Sequence, residues 1–308
     1  MRILVRFPFD SRSIAPARTI ERTPEGGRMF RRTLVLAALA AGVLLVGIQS
    51  AAAGNGNVTC TDAFAGTATN VIVPHDNFCD LSGATVTHDV IVEHDAGVFA
   101  EGLTVGHDIR MAQGDELELG GTTVGHDVKA GEGGNIHLER TTIGGSLDAL
   151  APDSVQTGMN GPDSPGGPVR IARDLTIHGS PDGDFIFDGM CSLIVGHDVR
   201  IVDRTVNLGI GFGDNCRGSE QPNTVGHDLV VTHDSAESGF FGPSSIEIGN
   251  NTVGHDLVFT HNTAAPGGYL EVADNHVGGN AICEANSPPA GKDASDGPNV
   301  VAGKNTCG

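Results

Sequence analysis

A short unit, Val-Gly-His-Asp and its variants, returns along this chain at a fixed interval, and the interval dictates what the chain can fold into. Val86-Thr87-His88-Asp89 is followed by Val105-Gly106-His107-Asp108, Val124-Gly125-His126-Asp127 and Ile143-Gly144-Gly145-Ser146, each 19 residues after the last. The same step taken backwards reaches a degenerate copy, Thr67-Ala68-Thr69-Asn70. Later copies begin at Ile171, Val195, Val225, Val253, Val277 and Val301, spaced 24 to 30 residues apart. Repetition at this period is the mark of a solenoid.

Within a copy, apolar residues alternate with polar ones. Ile109/Met111, Val128/Ala130, Leu175/Ile177, Leu229/Val231 and Leu257/Phe259 sit two apart just after the motif. A second pair precedes the next motif, as in Leu117/Leu119, Ile136/Leu138, Ile246/Ile248 and Leu270/Val272. Period two means short strands rather than helices. A 19-residue unit of such strands cannot bury its own apolar side, but stacked units can, with like residues above like. The expected fold is therefore all-β: a single-stranded parallel β-helix of about 10–11 coils. At ~4.8 Å per coil the stack would run roughly 50 Å. The inward positions of the third copy (124, 128, 130, 136, 138, 143) lack a six-residue rhythm, which favours a right-handed coil over the left-handed hexapeptide type. Glycine, 45 of 308 residues, suits tight corners, and an aromatic content of 4% suits a narrow bore. Segments rich in Pro, Gly and Asp near 152–168 and 211–222 read as insertions at a corner.

The N-terminal region reads as an address. Met29-Phe30-Arg31-Arg32 precedes an apolar run, Thr33 to Ile48, and Ala51-Ala52-Ala53 follows it. A basic start, a short apolar core and small residues at the end form a secretory signal peptide over 29–53. The run is shorter than the ~20 residues that span a bilayer, so no stable membrane anchor is expected after cleavage. Residues 1–28 are then an upstream mis-start or an extended basic n-region. The expected mature domain is 54–308, secreted and extracellular. Removing 1–53 takes away eight Arg and three acids, which moves the formal net charge from -20 to -25. Such a chain has the opposite of a nucleic-acid footprint.

Six cysteines in an exported chain suggest a disulfide framework. Cys60 and Cys79 are 19 apart, and each lies seven residues before a repeat start. Cys283 and Cys307 are 24 apart, and each lies six residues after one. Equivalent places in neighbouring coils fall within disulfide reach. The expected pairs are Cys60–Cys79 and Cys283–Cys307, leaving Cys191 and Cys216 to tie an insertion.

The candidate chemistry is columnar. His88, His107, His126, His197, His227 and His255 share one register, and each is followed by an acid: Asp89, Asp108, Asp127, Asp198, Asp228 and Asp256. A second column holds His75, His94, His233 and His261, with Asp76, Asp95 and Asp234 after three of them. Stacked His and Asp would suit a transition metal such as Zn or Cu, so the first column is a candidate ligand array. The competing reading is structural: Asp or Asn at a corner accepts backbone N–H bonds and forms a ladder. Asn70 and Asn280 in the Asp register favour the ladder, because Asn is a poor metal ligand. A further column, Thr85, Thr104, Thr123, Thr142, Thr224 and Thr252, reads as an outward β-branched row, beside a mixed row of Leu103, Thr122, Thr141, Asn223 and Asn251.

Polysaccharide lyases and hydrolases also use β-helices, with carboxylate clusters or a Ca site and an Arg base. Arg170, Arg173, Arg200 and Arg204 near Asp174, Asp198 and Asp203 form the best patch of that kind. Near-identical coils offer no singular pocket, and strong acidity would repel anionic glycans, so no enzyme is expected.

Val277-Gly278-Gly279-Asn280-Ala281-Ile282-Cys283 and Asn299 to Cys307 resemble the last coils of uncharacterised exported actinobacterial β-helix proteins with repeated V-G-G-N-L units. The chain differs in using His-Asp where Gly-Asn is usual. The architecture is also similar to that of bactofilins, which polymerise but are cytoplasmic and lack these cysteines. The resemblance implies no known activity. The expected protein is an exported monomer with a scaffolding or binding role at the cell envelope or outside it, toward a cell-wall glycan or a protein, and without a required cofactor.

Overall fold

The computed structural model describes residues 56–113, 116–158, 167–180, 186–213, 222–292 and 296–307. The proposed leader, 1–53, lies outside them. Every regular element among the described residues is a β-strand. Three parallel sheets form the sides of one solenoid, of 11, 9 and 11 strands.

The alternation explains each side. One coil shows the path. Thr104–Val105 lies in the third sheet, Gly106-His107-Asp108 turns the corner, and Ile109–Met111 enters the first sheet. A second turn leads to Glu116–Gly120 in the second sheet, and Gly121-Thr122 returns to Thr123–Val124. Strands pair with their equivalents one coil away, so Val128 stands opposite Ile109 and Leu147, and Leu117 opposite Val98 and Ile136. The residues picked by period two face inward: Val124, Val128, Ala130, Ile136, Leu138 and Ile143 are all buried. They join one continuous apolar core running from Cys60 to Cys307.

The repeat start maps onto the third sheet at all eleven copies, from Thr67–Ala68 to Val300–Val301. The first copy is shifted. Ala68, not Thr67, pairs with Val86, whereas Asn70 keeps the Asp register by accepting the Asp89 N–H. Its corner is therefore one residue shorter than those that follow.

Glycine at the corner is required by the stacking. A Cβ on Gly226 would lie 2.1 Å from the Gly196 carbonyl oxygen, and one on Gly254 would lie as close to Gly226.

Two cysteine pairs close as the register requires: Cys60–Cys79 with Cα atoms 5.8 Å apart, and Cys283–Cys307 with Cα atoms 4.9 Å apart. Cys191 is disulfide-bonded, and Cys216 lies outside the described residues. Residues 159–166 of the first insertion and 214–221 of the second also lie outside them. At their margins, Ser154–Thr157 and Gly209–Phe212 are strands of the second sheet. The later coils gain a fourth side, a three-stranded sheet of Thr205–Val206, Ser235–Ala236 and Thr263–Ala264. A small hairpin, Ser238–Gly239 with Gly242–Pro243, carries Phe240 and Phe241 at its tip.

Candidate functional site: the His-Asp corner

At the corner after the third sheet the chain turns outward and back, exposing backbone N–H groups that the strands cannot pair. The Asp column meets this need. The Oδ1 of each Asp accepts the backbone N–H at the same position one coil later. Asp89 accepts from Asp108 at 3.2 Å, Asp108 from Asp127 at 3.1 Å, and Asp127 from Ser146 at 3.0 Å. After Ser146 the ladder resumes: Asp174 accepts from Asp198 at 3.2 Å, Asp198 from Asp228 at 3.1 Å, and Asp228 from Asp256 at 3.0 Å. Asn70 begins the column and Asn280 continues it to Lys304. Asn serves as well as Asp because the requirement is an acceptor oxygen.

The second oxygen faces cations. Arg110 bonds Asp108 Oδ2 at 2.7 Å, Arg200 bonds Asp198 Oδ2 at 3.1 Å, and Lys129 lies 3.6 Å from Asp127. Partial desolvation pushes Asp108, Asp198 and Asp228 upward. It is outweighed in each by the donated N–H bonds and the neighbouring Arg or His, so all three are held below the ordinary carboxylate range.

The histidines stack one coil above another. His88, His107 and His126 form one run, with ring centroids 4.5 and 4.8 Å apart. His197, His227 and His255 form another, at 5.0 and 4.7 Å and nearly parallel. Gly145 and Arg173 hold the same register between the runs. In the second run each Nδ1–H donates to the carboxylate of the coil before: His197 to Asp174 at 3.0 Å, His227 to Asp198 at 3.0 Å, and His255 to Asp228 at 2.8 Å. The Asp228 bond raises His255 above its ordinary value.

Two ligand-like groups arise here, His197/Asp198/His227 and His227/Asp228/His255, each with its atoms within 4.8 Å of one another. No such group includes His88, His107 or His126 among the described residues. The geometry disfavours an ion at both places. Asp198 and Asp228 Oδ1 already accept two hydrogen bonds each, one from a backbone N–H and one from a histidine Nδ1–H, so an ion at these oxygens displaces one of them.

No family model matches the chain, nor does any curated protein or solved structure.

The arginine patch comes apart. Arg200 is a half-exposed partner of Asp198, whereas Arg204 is fully buried. Arg204 makes a bidentate pair with Asp188, Nε to Oδ2 at 2.9 Å and Nη2 to Oδ1 at 3.1 Å. Its Nη1 donates to the carbonyls of Pro152 and Gly179. Asp188 occupies an inward position between Val155 and Ile210, where the other coils are apolar. Burial pushes Asp188 upward and the guanidinium pulls it back.

Two further ladders lie inside. Asn223, Asn251 and Asn275 are buried and donate Nδ2 to Met190, Phe212 and Ile248 carbonyls. The row beside the Thr column is thus internal: Leu103, Thr122, Thr141, Asn223 and Asn251 are all buried. In the other ladder Asp234 accepts the Arg204 N–H, and Asn262 and Asn286 repeat the role below it. The two Asn residues also donate Nδ2 to the Val231 and Phe259 carbonyls, while Asp234 Oδ2 has no partner. Desolvation, opposed by the Arg204 backbone N–H and charge, raises Asp234 from 3.8 to about 8. A protonated carboxyl can donate where the Asn amides do.

For an acid raised on folding, the native state holds a proton that the unfolded state has lost, so stability falls as pH rises from about 4 to about 8. Asp234→Asn should remove this slope. Urea midpoints at pH 5 and pH 8.5 should diverge more in the wild type than in the variant. Equal divergence would mean that Asp234 is ionised in the native state.

Proposed function

We propose that the protein is an exported, non-enzymatic scaffold that holds a binding element at fixed height on a stiff β-solenoid, at the cell envelope or outside it. The observation that carries this reading is the unbroken coil register, in which the corner carboxylates are spent on backbone N–H groups. Two disulfides suit an oxidising compartment. The acidic surface suits solubility and repels nucleic acid.

The element best placed to bind is the hairpin tip. Phe240 is 87% exposed and Phe241 68%, and their rings meet edge to face at 5.3 Å. Adjacent large aromatics held in water mark an interaction site more often than a packing fault. The partner class is cell-wall glycan, with the aromatic rings lying against sugar faces.

Co-sedimentation of the purified protein with insoluble cell-wall glycan tests this. Retention is expected, with release by Phe240→Ser/Phe241→Ser at an unchanged melting midpoint. Failure to sediment would remove the glycan partner. Release of reducing sugars by the wild type would replace the scaffold with an enzyme.

A further inference from the structure

Away from the corner, the turn that leaves the first sheet carries a different His-Asp arrangement. His75-Asp76 and His94-Asp95 occupy this turn in two successive coils. Asp76 and Asp95 both have left-handed backbones, at φ 60° and 55°. The rings of His75 and His94 lie 4.0 Å apart and tilt by 37° instead of stacking flat. Ligand atoms of His75, His94 and Asp95 fall within 4.8 Å of one another, and all three residues are exposed.

The chemistry here is opposite to that of the corner. The corner carboxylates accept backbone N–H groups, three of them with an imidazole Nδ1–H as well, whereas Asp76 and Asp95 face imidazole nitrogens: Asp76 Oδ2 lies 3.1 Å from His75 Nε2, and Asp95 Oδ2 lies 3.2 Å from His94 Nδ1. The His75 tautomer is set by its surroundings. Its Nδ1 lies 2.9 Å from the His94 carbonyl oxygen, which only accepts, so Nδ1 carries the proton. Nε2 of the neutral ring is then an acceptor facing the Asp76 carboxylate, another acceptor. Such a pair needs a cation between its members, either a second proton or a metal. An Nδ1–H bond to a backbone carbonyl is also the support that metal-ligating histidines use.

The distances suit an ion. An ion ~2.05 Å from both His75 Nε2 and Asp76 Oδ2 would subtend roughly 98°, between octahedral and tetrahedral values. Glu93 takes the His75 backbone N–H at 3.1 Å, which holds the turn and adds a third carboxylate beside the two rings. Imidazole with carboxylate is the donor set of Zn, Co, Ni and Cu rather than of Ca.

We propose that this turn is a divalent transition-metal site, held by His75 of one coil with His94 and Asp95 of the next, the Asp76 carboxylate standing beside the His75 ring. The site is independent of the scaffold reading and lies in a column separate from the corner histidines.

Titration of the purified, oxidised protein with Zn²⁺ alone at pH 7.5, followed by calorimetry, tests it, with Co²⁺ absorption reporting the coordination. Outer-shell partners alone are worth roughly 10–100-fold in affinity, so loss of the ligating rings in His75→Ala/His94→Ala should weaken binding by about 100-fold. The corner variant His197→Ala/His227→Ala/His255→Ala should change affinity by less than about threefold. Both variants are surface changes, and their melting midpoints report whether the fold is kept. Saturable binding that follows the first variant and not the second supports the site. No saturable heat in the wild type, full binding in His75→Ala/His94→Ala, or loss in the corner variant overturns it.

Discussion

Arg204→Met should destabilise the protein by about 3–5 kcal/mol, the loss typical of a buried ion pair stripped of one partner. Arg204 joins four successive coils: it reaches Pro152, then Gly179 and Asp188, and its own N–H bonds Asp234 in the coil beyond. Removing the guanidinium leaves Asp188 in the bore without its cation. A lone buried carboxyl escapes its penalty by taking a proton, so the loss should be larger at pH 8 than at pH 5. The double variant Arg204→Met/Asp188→Asn should recover about half the loss, since Asn still accepts the Val155 N–H that Asp188 now holds at 3.0 Å. Urea unfolding at both pH values checks this. A loss under ~1 kcal/mol would show that the pair contributes little, and a loss independent of pH would show that protonation of Asp188 does not relieve it.

The second large effect belongs to the corner ladder. Asp198→Ala/Asp228→Ala/Asp256→Ala removes the acceptors for the N–H groups of Asp228, Asp256 and Asn280. It also strips His227 and His255 of their carboxylate partners. At about 1–2 kcal/mol for each rung, the triple variant should lose about 3–6 kcal/mol. The matching Asn triple keeps every acceptor and relieves the repulsion between stacked carboxylates, so it should stay within about 1 kcal/mol of the wild type. Denaturant midpoints of the two triples settle the comparison.

Much of this architecture was legible because a solenoid writes its register into the sequence. Period 19 placed Val128 above Ile109, and it placed Cys60 beside Cys79 before any coordinate was known. Asn70 and Asn280 in the Asp column pointed to a backbone cap, because those two positions need an oxygen and not a charge. What stayed hidden departs from the repeat. Asp188 breaks an apolar position in the second sheet, but an isolated acid in a glycine-rich segment looks like a loop residue. Arg204 reads from the sequence as one of a patch with Arg170, Arg173 and Arg200, and only the fold brings it into the bore. Asn223 and Asn251 read from the sequence as neighbours of an outward Thr row, because strict alternation does not show where a corner turns the next residue inward. The one-residue shift at Ala68 is invisible for a similar reason: the Asp register on either side of it is kept.

The corner carboxylates cap backbone N–H groups one coil later. Native-state amide exchange at Asp108, Asp127, Asp228 and Asp256, with Zn²⁺ and then with a chelator, separates this role from metal ligation. The ladder predicts slow exchange at all four amides, unchanged by the chelator and lost one coil later when an Asp becomes Ala. Fast exchange at these amides, or protection that appears only with metal, would contradict it.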